Sequence, residues 1–112
     1  LSINRFENWK WYASDRITHL MGNGVLTFLY DGNQMQDFFS GREAVYFHTP
    51  GELAEKIAFY QAHDGARRAV AAAGRAKYHA LFDARRVVRY LVEAVRGEDF
   101  SEAYEWAGEA LR

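Results

Sequence analysis

The pattern of apolar and polar positions changes character at Pro50, the one proline in the chain. The β-forming runs lie ahead of it. Val25-Leu26-Thr27-Phe28-Leu29-Tyr30 is almost continuous in apolar β-formers, as a strand buried on both faces of a parallel sheet would be. Ala44-Val45-Tyr46-Phe47-His48 reads as a second such strand, and Leu1-Ser2-Ile3-Asn4 as the end of one already under way. Between that first segment and the run at Val25, Ile17, Leu20 and Met21 follow helix spacing behind a capping Ser14. Gly22-Asn23-Gly24 then stops the helix, because glycine and asparagine tolerate the left-handed conformation that ends one. Asp31-Gly32-Asn33 is turn chemistry.

After Pro50 the periodicity is helical throughout, in four stretches. Thr49-Pro50-Gly51-Glu52 supplies a capping threonine, proline at the first helical position and glutamate three residues after the cap. Leu53, Ile57 and Tyr60 follow on one face. Asp64 caps the next stretch, whose heavier apolar positions are Val70, Tyr78 and Leu81. Val87, Val88, Leu91, Val92 and Val95 form a third stripe. Asp99-Phe100-Ser101-Glu102 reads as another capping box, leading Phe100, Ala103, Tyr104, Ala107 and Leu111 onto a fourth face. The order of elements predicts an α/β fold with a small parallel sheet of about three strands, followed by several helices. No Pro-rich or Ser/Gly-rich linker interrupts it, so residues 1–112 read as one domain. Three strands are few for so many helices, which suggests part of a larger doubly wound domain.

Composition narrows the function classes. The chain is 49% apolar and 26% charged, ordinary for a globular protein. A formal net charge of −1 argues against a nucleic-acid partner held by gross charge. The absence of cysteine removes disulfides, thiolate metal sites and thiol nucleophiles together. No apolar run approaches the roughly 20 residues of a membrane-spanning helix, so no integral membrane segment is expected.

The candidate chemistry is sparse. His19, His48, His63 and His79 show no metal-type pairing at short helical spacing, so no metal site is expected. The basic run Arg67, Arg68, Arg75, Lys77, Arg85, Arg86 and Arg89 reads first as a solvated helix face, with a polyanion partner as the other reading. Phe6, Trp9, Trp11 and Tyr12 follow neither helical nor strand period, and read as core or interdomain packing ahead of a base-stacking platform. Ser14-Asp15-Arg16 is more pointed. Free backbone N–H groups, the positive end of a helix dipole and a guanidinium converge there, as a diphosphate requires.

Three segments resemble group 1 glycosyltransferases in order and spacing. Arg16 to Thr27 is similar to the family's helix that ends in glycine and runs into a buried strand. Thr49-Pro50-Gly51-Glu52-Leu53-Ala54-Glu55-Lys56-Ile57 resembles its Pro-x-Glu-Leu-Ala-x-x-Ile helix, and Ala72-Ala73-Gly74-Arg75-Ala76-Lys77 its Ala-x-x-Gly-Arg helix. The likeness covers roughly residues 10 to 96 and is nearest the branch with spore-maturation-type and surface-polysaccharide enzymes.

The resemblance implies a GT-B enzyme of two facing Rossmann-like domains, of which these residues would form a partial Rossmann-like domain. This chain would be the carboxyl-terminal, donor-domain part, with helices from about 84 to 111 bracing an amino-terminal acceptor domain of the same protein. Residues 1–112 alone would then be inactive. It implies a nucleotide-sugar donor, no metal or other cofactor, and a cytoplasmic place, with peripheral attachment at the inner membrane face as a variant. Carried over by position, Ser14, Asp15, Arg16 and His19 are the expected donor-site residues, with Asn23 and Gly24 as backbone neighbours. His19 stands where the family often has a ribose-binding glutamate, and Trp11 where it has a second glutamate eight residues earlier. Imidazole hydrogen-bonds a ribose hydroxyl without the bidentate geometry of a carboxylate. The rival expectation is a non-catalytic α/β interaction module that self-associates, or docks another chain, through its aromatic segment and exposed sheet edge.

Overall fold

A computed structural model describes residues 9–12 and 15–110. The expected strand at residues 1–4, Phe6, the capping Ser14 and Leu111 lie outside the described residues. The chain divides into two compact units, residues 1–79 and 80–112.

The first unit is α/β. Helix α1 (Asp15–Gly22) leads through a short loop into strand β1 (Phe28–Tyr30), and two single-turn 3-10 helices, Asp31–Asn33 and Met35–Asp37, follow. Strand β2 (Val45–Phe47) lies parallel to β1, with Phe28 opposite Val45 and Tyr30 opposite Phe47. The sheet therefore has two strands among the described residues. Helices α2 (Pro50–Ala62) and α3 (Asp64–Phe82) complete the unit's elements, α3 running on to Phe82. Leu53, Ile57 and Tyr60 of α2 pack with Val70 and Ala71 of α3 against Leu26, Phe28 and Val45. Leu29, one residue beyond Phe28, points to the opposite face of the pleat and is fully buried. β1 is thus covered on both sides, as its unbroken apolar run predicts.

Local chemistry sets the element ends. Thr49 caps α2, its hydroxyl accepting from the Glu52 N–H at 3.2 Å, with Pro50 in the first turn. Glu52 reaches back as a capping box would, but its carboxylate accepts the backbone N–H of His48, one residue before the cap. Asp64 is the first residue of α3, where it holds Arg67 at 2.6 Å and Arg68 at 2.7 Å. Gly74 sits where α3 passes closest to the turn before β2. A Cβ there would lie well inside the carbonyl oxygen of Glu43 and 3.2 Å from the Met21 methyl.

The second unit contains α4 (Ala84–Arg96) and α5 (Ala107–Ala110). Asp83 caps α4, and Gly97, in the left-handed region at φ 66°, closes it. The buried face of α4 is Tyr90 and Glu93, not the Val/Leu stripe. Val88, Leu91, Val92 and Val95 face outward. The fourth helix expected from Asp99 onward is confined to residues 107–110. Tertiary partners take the groups that would have capped it. Glu102 binds Arg86 at 2.8 Å and Arg89 at 3.3 Å, while Ser101 N–H and the Tyr104 hydroxyl both donate to Glu93. Phe100, Tyr104 and Trp106 pack around Tyr90 with ring centroids 5.1 to 5.7 Å away. This aromatic cluster outweighs local helix propensity over residues 98–106.

Candidate functional site

In open α/β sheets, ligands bind beyond the carboxyl ends of the strands. The β1–β2 register continued by one residue pairs Asp31 with His48. The His48 Nδ1 lies 2.8 Å from the Asp31 Oδ1, and its ring stacks on Tyr30 at 5.8 Å. The carboxylate, first by hydrogen bond and then by charge, raises the pKa of His48 above the ordinary value. Nδ1 faces the carboxylate, so it carries a proton and Nε2 is left to an outside partner. Glu52 holds the His48 backbone, and Lys56 bonds both that carboxylate at 2.6 Å and the carbonyl of Tyr46. Lys56 and the His48 N–H together lower the pKa of Glu52.

The segment preceding α1 is tied to the same edge. Trp11 N–H donates to the Asn33 carbonyl at 2.8 Å, and the fully buried Asn33 side chain donates to the Trp9 carbonyl at 2.9 Å. The Trp11 indole donates to Asp37 and packs on Phe38, with Lys10 over its ring. Trp11 at φ 58° and Gln34 at φ 55° are the two non-glycine residues with positive φ among those described. Both flank this edge, where such conformations persist only if their surroundings hold them. Helix α1 begins four residues after Trp11, and its far end leads through residues 23–27 into β1.

The expected site residues divide accordingly. Asp15 and Arg16 occupy the first turn of α1, and His19, three and four residues on, shares their exposed face. Ser14 lies outside the described residues. Asn23 and Gly24 are at the other end of α1, about 12 Å along its axis from Asp15. There Asn23 donates to the His19 carbonyl at 2.7 Å, and Gly24, at φ 73°, donates its N–H to Met21. They terminate the helix. Trp11 is occupied by Asp37 and Phe38. The Asp31–His48 pair matches no sequence motif, although each residue directly follows a strand and the parallel order makes them neighbours.

Among the described residues, no group of three metal-ligating side chains occurs, and no helix is long and apolar enough to cross a membrane. A family model described as glycosyl transferase-like matches residues 1–93. No curated protein and no solved structure matches the chain.

Proposed function

The chain belongs to the glycosyl transferase-like family, and from that membership we propose that it supplies the donor side of a glycosyltransferase. The observation that supports this reading is the Asp31–His48 pair at the strand ends, beside which Trp11, four residues ahead of α1, bonds Asn33. In the proposed reaction the bond between the sugar's anomeric carbon and the diphosphate oxygen breaks, and the nucleoside diphosphate leaves with the electron pair. The acceptor oxygen bonds the same carbon and releases its proton to water. The α1 N–H groups and Arg16 neutralise the growing diphosphate charge. His48, protonated more readily because of Asp31, donates from Nε2 to a phosphate oxygen. His19 meets a ribose hydroxyl. The GT-B arrangement, with the acceptor bound by another domain that α4 braces, belongs to the same proposal.

Amide NMR titration of the protein with nucleoside diphosphates and their sugars tests this. Shifts concentrated at Asp15, Arg16, His19, Asp31 and His48 are expected, and Arg16→Ala should weaken binding by about 1.5 to 3 kcal/mol. Unchanged affinity in a folded Arg16→Ala variant removes Arg16 from the site. Binding with no response at His48 removes the pair.

One observation favours a second reading, self-association. Val88, Leu91, Val92 and Val95 make an exposed apolar stripe on α4. Concentration-dependent sedimentation that Leu91→Lys abolishes, with no nucleotide affinity, would favour it.

A further inference from the structure

At the amino edge of the first unit, a cleft of about 570 Å³ opens between Asn23-Gly24 and one stripe of α3. Arg68, Ala72, Arg75 and His79 recur there at intervals of three and four residues and so share a helix face, with Arg67 beside them. Alanines form the floor, and their short side chains leave the concavity open. No acidic residue lines it. Asp64 is shared by Arg67 and Arg68, while Arg75 has no acidic partner among the described residues. Three guanidinium groups against one carboxylate leave two positive charges around one cleft. Farther along the basic run, Arg86 and Arg89 are engaged by Glu102 and Glu105.

The cleft's cations are also positioned. Gly24 has no side chain, and a Cβ there would touch the Arg75 Cδ at 3.4 Å, so the arginine stem lies along the backbone. The His79 Nε2 is 3.0 Å from the Gly22 carbonyl oxygen. Arg68 and Arg75 are two turns apart, about 10.5 Å along the axis. A carboxylate presents its two acceptor oxygens in one plane, on one side of its carbon. A phosphate, and better a diphosphate, offers acceptor oxygens in several directions, and guanidinium forks match them. The volume is in the range of small-molecule sites.

We propose that this cleft is a second binding site, which takes a phosphate-bearing ligand between Arg68 and Arg75. It lies at the opposite end of α1 from Arg16 and stands apart from the donor reading. A soluble phosphorylated compound and a phospholipid headgroup offer the same chemistry.

The test is residue-resolved amide NMR of the protein titrated with pyrophosphate, together with sedimentation on phosphatidylglycerol and phosphatidylcholine vesicles. Saturable shifts at residues 23–24 and 67–79 are expected. Arg75→Gln should weaken binding about tenfold, and Ala72→Glu, which places a carboxylate in the cleft, should abolish it. Arg85→Gln, an exposed arginine outside the cleft, should leave it unchanged. Co-sedimentation with phosphatidylglycerol alone, lost in Arg75→Gln, assigns the site to a headgroup; pyrophosphate binding without it assigns a soluble ligand. Binding of neither probe overturns the proposal. So does equal weakening by Arg75→Gln and Arg85→Gln, which would mean diffuse charge. Shifts confined to residues 15–16 and 48 would favour the donor edge and overturn the second site.

Discussion

His48 and Asp31 end two adjacent parallel strands, with 2.8 Å between Nδ1 and Oδ1. Because the carboxylate raises the imidazole pKa, Asp31→Asn should lower it toward the ordinary value of about 6.5. Ring-proton NMR titration reads this directly. The folded pKa lies above the unfolded one, so the pair's stabilisation is fully present below about pH 6.5 and is lost as pH rises through the folded value. Urea unfolding of the two forms should therefore differ at about pH 5.5 and converge at about pH 9. A difference that ignores pH would mean that Asp31 acts through something other than His48.

Arg86 is the polar centre of the second unit. Its guanidinium meets Glu102 and Glu105 at 2.8 Å each, the Leu81 carbonyl at 2.8 Å and the Ala103 carbonyl at 2.9 Å. It also stacks against Tyr104 and Trp106. Arg86→Ala should cost about 2 to 3 kcal/mol in chemical denaturation, and Arg86→Lys should recover less than half, since an ammonium lacks the planar fork. Full recovery by lysine would reduce the site to a point charge.

Local signals are legible in the sequence, and pairings across the fold are not. Strand β1 and the start of α2 could be read because their signals are local: an unbroken β-forming run, and a Thr-Pro-x-Glu cap. The Asp31–His48 pair was hidden for a different reason. Its members are 17 residues apart, and only the strand pairing brings them together. The resemblance groups Asn23 and Gly24 with Arg16, and the two turns of α1 set them about 12 Å along its axis from Asp15. The helix expected from Asp99 failed because its capping groups had better partners elsewhere. Glu102 was claimed by Arg86, and Ser101 by Glu93.

Gly74 reverses a local preference. Alanine in a helix interior is worth about 1 kcal/mol more than glycine. At this position its methyl would press on the backbone carbonyl of Glu43, which cannot rotate away as a side chain would. Gly74→Ala should therefore destabilise the protein, by about 1 to 3 kcal/mol. Thermal unfolding decides the sign. Stabilisation would mean that the turn at residues 40–43 yields freely.

Tyr90 and Leu91 are neighbours in sequence on opposite faces of α4. Tyr90 is buried among Phe100, Tyr104 and Trp106, whereas Leu91 is 53% exposed. Tyr90→Ala should cost about 3 kcal/mol through the cavity it leaves. Leu91→Ser should change stability by no more than about 0.5 kcal/mol, because more than half of that residue is exposed to solvent. Urea unfolding of the two variants at low protein concentration separates these effects. A large cost for Leu91→Ser under those conditions would show that the outward stripe is covered within the monomer. A cost that appears only as concentration rises would point instead to self-association through α4.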